Sequence, residues 1–342
     1  FHQQLFDQRT SGISHIPALG LFEVLWHSFL LFSWILRQMA KFTFLVFSLV
    51  ICAHFALSSD KKLRVKRVIG GQQVRTGQWP WLVSLKGKFP TQRIFGFAIA
   101  HSVVYCGGSL LNDRWVLTAA HCFDYQGSVG KTPRYWHARM GDTDLSASLF
   151  ERIKGFIGKI LNRNKWRDWN IHAEKIIIHP NYTPGQRAKW ANDIALIKLR
   201  ERVPASRSEI PEIQPVTLPS QGLQDFPSTS QRCIMKGWGC TRGGGRVAET
   251  ARQVNLPAVS NGECGRFWGI ETNSRMCAGH NLASKGICKG DSGGPLVCQY
   301  GSRWVQAGIA SFTSGSSPGS VPGVFTRVSH FTNWIRRTIT AN

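Results

Sequence analysis

Three polar side chains of this chain stand in surroundings suited to nucleophilic chemistry. Ser292 lies within Gly290-Asp291-Ser292-Gly293-Gly294-Pro295. The flanking glycines let the backbone turn sharply, expose the hydroxyl and leave main-chain N–H groups free to face a substrate oxygen. A serine hydroxyl is a weak nucleophile at neutral pH, so it needs an adjacent base, and the base needs a third group to orient it. Thr118-Ala119-Ala120-His121-Cys122 offers an imidazole, and Asn192-Asp193-Ile194-Ala195-Leu196 a carboxylate. Gly-x-Ser-x-Gly alone arises by chance in small-residue turns, and a lone His, Asp or Ser is most often structural. The combination and its order carry the reading.

These three segments resemble the active-site signatures of the chymotrypsin/trypsin-like serine proteases, in that family's order of His, Asp and Ser. The resemblance runs from about Val68 to Asn342. It includes two further landmarks, Cys106-Gly107-Gly108-Ser109-Leu110 and Cys233-Ile234-Met235-Lys236-Gly237-Trp238-Gly239. It implies that His121 takes the proton of Ser292, that Asp193 orients the imidazole, and that an acyl-enzyme forms on Ser292. The N–H groups of Gly290 and Ser292 would form the oxyanion hole. The implied fold is all-β: two six-stranded antiparallel β-barrels with the active site between them, followed by a C-terminal helix.

Composition narrows the class. Apolar and charged fractions of 42% and 18% are ordinary for a globular protein and argue against disorder. Nine cysteines with an apolar leader, eight of them remaining once Cys52 leaves with it, point to an oxidising compartment and disulfides, and the lack of Cys-x-x-Cys argues against a zinc ribbon. The net charge of +23 favours polyanions such as sulfated glycans, anionic membranes or nucleic acid, weighed against a merely solvated surface. No specific nucleic-acid partner is expected.

Residues 1–38 contain an apolar run over 19–36, broken by Glu23 and His27. Met39-Ala40-Lys41 opens a cleaner run over 42–57. Its basic start, short apolar core and small-residue step Ala56-Leu57-Ser58 form the pattern of a secretory signal peptide at 39–58. The expectation is a start at Met39, with 1–38 as upstream sequence translated in frame; a membrane anchor over 19–36 is the alternative. The expected localisation is secreted, extracellular.

Residues 59–67 read as an activation propeptide. Lys61-Lys62-Leu63-Arg64-Val65-Lys66-Arg67 abuts Val68-Ile69-Gly70-Gly71, a match to the family's mature N-terminus. The resemblance implies that cleavage after Arg67 frees the Val68 ammonium to pair with Asp291, ordering the oxyanion hole and the specificity pocket. Arg64-Val65-Lys66-Arg67 also resembles a furin-type convertase site, which would place activation during secretion.

Residues 80–85 and 114–118 are short β-branched and aromatic runs bounded by turn residues, as strands are. The protease domain is expected over 68–342, with barrel one over about 68–195, barrel two over about 196–328 and the helix over about 329–340. Apolar residues 331, 334, 335 and 339 keep helical spacing, with Ser329 as N-cap. Two segments, 86–105 and about 152–170, are longer than is usual for the family. The second interleaves Lys and Arg with Trp, which suits either a polyanion site or a basic loop packing its own Trp. Acids are few around it, Asp144 and Glu151 among them, so no calcium or other metal is expected, and no cofactor. Asn181-Tyr182-Thr183 is an N-glycosylation sequon.

The resemblance puts the floor of the primary pocket at Gly286, followed by Ile287. Ser311-Phe312-Thr313 forms the wall that pairs with substrate backbone, and Gly323 lies opposite. A neutral floor with Ile287 and Thr313 describes a shortened apolar pocket similar to elastases, favouring small or medium apolar residues before the scissile bond. The implied disulfides are Cys106–Cys122, Cys233–Cys298 and Cys264–Cys277. Ser317 stands where the family has the partner of Cys288, and Cys240 is an extra cysteine. A Cys240–Cys288 bridge, two free thiols and an intermolecular bond all remain open. The sum is a serine endopeptidase acting on polypeptides and subject to protein inhibitors; the alternative is a catalytically weak basic binding or antimicrobial homologue.

Overall fold

The computed structural model describes Gln38 and residues 71–342, other than 95–96, 126, 146–168, 204–212, 242–243 and 280–284. The chain divides into two units, Phe1–Val65 and Lys66–Asn342, and the elements described belong to the second. The leader, the cleavage segment with Arg67 and Val68, and most of the basic stretch 152–170 lie outside the described residues.

The first barrel is built from β2 (Leu82–Ile94), β3 (Phe97–Leu110), β4 (Trp115–Thr118), β5 (Trp136–Met140), β6 (Trp169–Ile178) and β7 (Ala195–Leu199). They close antiparallel in the order β2-β3-β4-β7-β6-β5. Strand β5 alternates as a half-buried strand should, sending Trp136, Ala138 and Met140 inward. Strand β4 is buried at every position, because its outer side meets the rest of the molecule. Leu85, Phe89, Leu117, Trp136 and Ile197 fill this core. The long segment 86–105 extends the β2–β3 hairpin, with Lys88 opposite Val103 and Ile94 opposite Phe97.

The second barrel uses β8 (Arg232–Gly237), β9 (Arg252–Val259), β10 (Arg275–Ala278), β11 (Pro295–Tyr300), β12 (Arg303–Phe312) and β13 (Gly323–Arg327). The order β9-β10-β13-β12-β11-β8 is closed by pairing of β8 with β9, and the two-residue β1 (Gln72–Gln73) adds to β9 from outside. Met235, Leu256, Met276, Leu296 and Phe325 form its core. Both barrels are therefore closed, six-stranded and antiparallel.

The boundaries differ from the expected ones in three places. Barrel one runs to Leu199, because the apolar side chains of β7 complete its wall. The start of the domain, at β1, joins barrel two. The C-terminal helix α2 spans Val328–Ala341 with Arg327, not Ser329, at the N-cap; the Ser329 hydroxyl donates to the Leu223 carbonyl instead. A shorter helix precedes it, α1 (Asn261–Trp268). Its Ser260 side chain accepts from the Glu263 N–H at 3.2 Å, a capping-box spacing, and it ends at Gly269 in the left-handed conformation. Helix α2 returns to barrel one, where Val328, Phe331 and Ile335 join the core of Ile194 and Leu196.

Lys236, fully buried on β8, has no hydrogen-bond partner for its amine among the described residues. The nitrogen lies 3.2 Å from the Trp79 ring centroid, with Trp81 and Trp304 further out. Burial pushes this ammonium well below the usual lysine range. An unfolded lysine stays charged up to about pH 10, so the folded state carries a desolvation cost that grows as pH falls below that value. The Trp79 face offsets part of it. Lys236→Met is expected to raise stability, with a gain larger at pH 7 than at pH 10; urea midpoints at the two values check this.

Candidate active site

The serine loop is fixed by its glycines. Gly290 has φ 100° and Gly293 φ 77°, both in the region that side chains avoid. The Asp291 N–H donates to the Cys288 carbonyl and the Gly294 N–H to the Asp291 carbonyl, each at 2.9 Å, so two turns follow one another around Ser292. Strand β12 holds one side through Gly293 N–H to Ala310 O at 2.8 Å. Strand β3 holds the other through Gly107 N–H to Ser292 O at 2.7 Å. A Cβ on Gly107 would sit 2.7 Å from Gly294 Cα, so any larger residue there would push the loop away. Among the described residues no acceptor takes the N–H of Gly290 or of Ser292.

His121 sits in a 3-10 turn, Ala120–Phe123, directly after β4. Cys122 ties that turn to β3 through Cys106. Asp193, 1% exposed, precedes β7 at the end of a stretch in which Lys189, Trp190 and Asn192 adopt φ values near +50°. Such backbone is strained in non-glycine residues and persists only where surrounding contacts hold it. The carboxylate accepts from the His121 backbone N–H at 2.9 Å and from the Ser311 hydroxyl at 2.6 Å, and its other contact is His121 Nδ1 at 2.7 Å. An ionised carboxylate can only accept, so Nδ1 carries the proton and Nε2 is left as the base. Burial alone would lower the imidazole pKa. The Asp193 charge and hydrogen bond, with a smaller contribution from Asp124, reverse this and raise it above the ordinary value.

A cleft of ≈ 410 Å³ opens beside Ser292, lined among others by Ile287 and the run from Ala310 to Gly315. Of the expected pocket residues, Ile287, Ser311, Phe312 and Thr313 reach it. A Cβ on Gly286 would lie 2.1 Å from the carbonyl oxygen of Pro318, which itself lines the cleft, so only glycine fits there. Gly323 lies behind Ile287, where a Cβ would meet the Ile287 side chain at 2.9 Å. The Thr313 hydroxyl is buried in the wall without a hydrogen-bond partner among the described residues. Cys240 and Cys288 are bonded on the rim, and the other three bonds are Cys106–Cys122, Cys233–Cys298 and Cys264–Cys277. Asn181 is exposed on the surface, and its carbonyl accepts from the Asn192 side chain.

Two contributors were not evident from the linear chain. The Ser311 hydroxyl, assigned to the substrate wall, also holds Asp193 from barrel two. Trp190 packs its ring 5.3 Å from Phe312, and Trp268 meets the same ring at 5.3 Å. No local pattern pointed to these contacts, because they join segments 44 to 122 residues apart.

Asp291 is a second buried carboxylate. It accepts from the backbone N–H groups of Gly239 and Cys288, each at 2.9 Å, and has no cationic partner among the described residues. A Cβ at Gly237 or Gly239 would collide with it. Burial pushes its pKa up to about 7 against the pull of those two donors. The unfolded group ionises near 3.8, so folding is penalised increasingly from about pH 4 to about pH 7 and fully above that. In the uncleaved chain, the stability of Asp291→Asn relative to wild type is expected to improve as pH rises from 4 to 8; thermal melts across that range check the sign.

A family model described as Trypsin matches residues 68–335. The match spans both barrels, the cleft between them and each side chain around Ser292, His121 and Asp193. Polypeptides are the substrates this relationship implies. The chain belongs to the trypsin family of serine-type peptidases.

Proposed function

We propose that this protein is a secreted serine endopeptidase, activated by cleavage after Arg67, that hydrolyses peptide bonds through His121, Asp193 and Ser292. The observation that carries the proposal is the buried Asp193 carboxylate holding the Nδ1 of His121 at 2.7 Å, which leaves Nε2 free to act on a hydroxyl. In the proposed reaction His121 takes the proton of Ser292 as the hydroxyl attacks the peptide carbonyl. The same proton then goes to the leaving amine, and water repeats the sequence on the acyl-enzyme. The carboxylate stabilises the imidazolium formed on the way. The free N–H groups of Gly290 and Ser292 suit a developing oxyanion, where the loss of one donor costs about 3 kcal/mol of transition-state stabilisation.

Activation is proposed to work through Asp291. A buried carboxylate that ionises reluctantly is a ready counter-ion for a new ammonium, and cleavage after Arg67 would supply one on Val68. An activating protease of furin type fits the basic run before Val68. The preference proposed for small or medium apolar side chains rests on Ile287 and Thr313 narrowing the cleft, with no acid among the described lining residues except Asp291, whose carboxylate is taken by Gly239 and Cys288. Apolar pockets separate near neighbours by only about 1–3 kcal/mol per methylene, so some cleavage after larger apolar residues is expected. Glycosylation at Asn181 and regulation by protein inhibitors belong to the same reading. A binding protein without activity is not favoured, because no member of the expected catalytic set is replaced.

Two experiments test the proposal. Residues 68–342, freed at Val68, are expected to cleave a peptide library after Ala, Val or similar residues and to react with a serine-directed phosphonate. Ser292→Ala should abolish both, and cleavage after Lys or Arg would overturn the pocket assignment. Asp193→Asn is expected to lower kcat by about 10⁴-fold, the magnitude characteristic of this family's triad. It should also move the acid limb of kcat/KM to lower pH. The sign follows from the base form being neutral: removing the anion makes the imidazolium easier to deprotonate. Pre-steady-state and pH-rate measurements read the two effects separately.

A further inference from the structure

The elongated β2–β3 hairpin concentrates apolar surface that water does not favour. Ile94, Phe97, Ile99 and Val103 on its strands are 52%, 77%, 56% and 42% exposed. Two more exposed apolar side chains, Tyr125 and Val129, flank the same hairpin. The Tyr125 ring lies 5.6 Å from Phe89 of β2 and its hydroxyl meets Ser102 of β3. Most of the large exposed apolar residues among those described thus gather in one region. A patch of this kind on a soluble domain marks an interaction site.

The charge around the patch has one sign. Lys88 and His101 are exposed on the hairpin, Lys86 lies over the Tyr105 ring, and Lys131 and Arg134 are exposed on the adjoining turns. No Asp or Glu occurs in residues 71–112 or 125–140. Lys86 and Lys88 stand opposite Tyr105 and Val103, on the face of the hairpin that also carries Phe97 and Ile99, and an apolar face set beside cations suits a surface that is anionic outside and apolar beneath. A sulfated glycan would engage the cations and leave Phe97 and Ile99 in water. We propose that the β2–β3 hairpin docks this protein on anionic phospholipid membranes, with Phe97 and Ile99 entering the headgroup boundary and the surrounding cations meeting lipid charge. Gly107, at the root of the hairpin, bonds to Ser292, and the strand from there to Phe97 is about 33 Å long at the usual rise per residue. At the same rise Lys88, opposite Val103, stands about 20 Å from Phe97, so the hairpin would lie along the bilayer surface rather than stand on its end. Docking requires no catalytic step, so it can fail or hold independently of the peptidase proposal.

The test is co-sedimentation of protein recovered from expression of the full chain with vesicles of equal parts phosphatidylserine and phosphatidylcholine, against phosphatidylcholine alone. Every form carries the same N-terminal region, so only the hairpin-dependent part of binding counts. Wild type is expected to bind the mixed vesicles and to be released by salt. Phe97→Ser with Ile99→Ser should weaken binding on the order of tenfold or more. Lys86→Gln with Lys88→Gln should weaken it and flatten the salt dependence. Unchanged thermal midpoints and unchanged cleavage of a short peptide confirm that the variants are folded. Equal binding to both vesicle types, or binding indifferent to both pairs of changes, overturns the proposal. Heparin retention lost in the lysine pair, with vesicle binding intact in the Phe97 and Ile99 pair, would assign the surface to a sulfated polyanion instead.

Discussion

A carboxylate withdrawn from water must find donors, and Asp193 finds them in both barrels at once. The His121 backbone and ring come from the turn after β4, while the Ser311 hydroxyl comes from β12. Thr326 of β13 adds a bond to the Asp193 carbonyl at 2.7 Å. Removing one partner of such a group leaves a buried charge short of donors, an outcome far more costly than the bond itself is worth. The two barrels are therefore held in one relative placement by the same group that sets the tautomer of His121. Geometry and electrostatics of the cleft share a single cause.

The serine loop depends on close approach rather than on charge. Gly107 and Gly294 bring two backbones to a separation at which no side chain fits, and this lets β3 hold the Ser292 carbonyl. The loop is thus fixed by barrel one although it belongs to barrel two. Asp291 lies under it, with the glycines of Gly237-Trp238-Gly239 making room for its oxygens. One carboxylate is met by donors from both barrels; the other is buried with two donors and no cation among the described residues. That contrast underlies the different roles proposed for the two.

The first-barrel hairpin starts from the same anchor and runs the other way. Near Gly107 its residues are buried and tightly packed. Toward Phe97 the partners fall away and apolar side chains face solvent. A feature that leaves the core at Ser292 can carry a binding surface without disturbing the cleft, since strands transmit position and little else over that distance.

Much was determined by the sequence alone. Ser292 between glycines, His121 after a small-residue run beside Cys122, and Asp193 before an apolar strand suggest the proposed chemistry, because a nucleophile, a base and an orienter each need such local surroundings. Paired turn signals and short β-branched runs specify strands. The capping box at Ser260 was equally local and would have located α1. The tertiary structure alone decided the rest. It moved the helix N-cap from Ser329 to Arg327, because Leu223 offered the Ser329 hydroxyl a buried acceptor. It gave Ser311 to Asp193 as well as to the wall, and bonded Cys240 to Cys288. Each of these depends on contacts between residues far apart in the chain, and no local pattern encodes which distant group will be within reach.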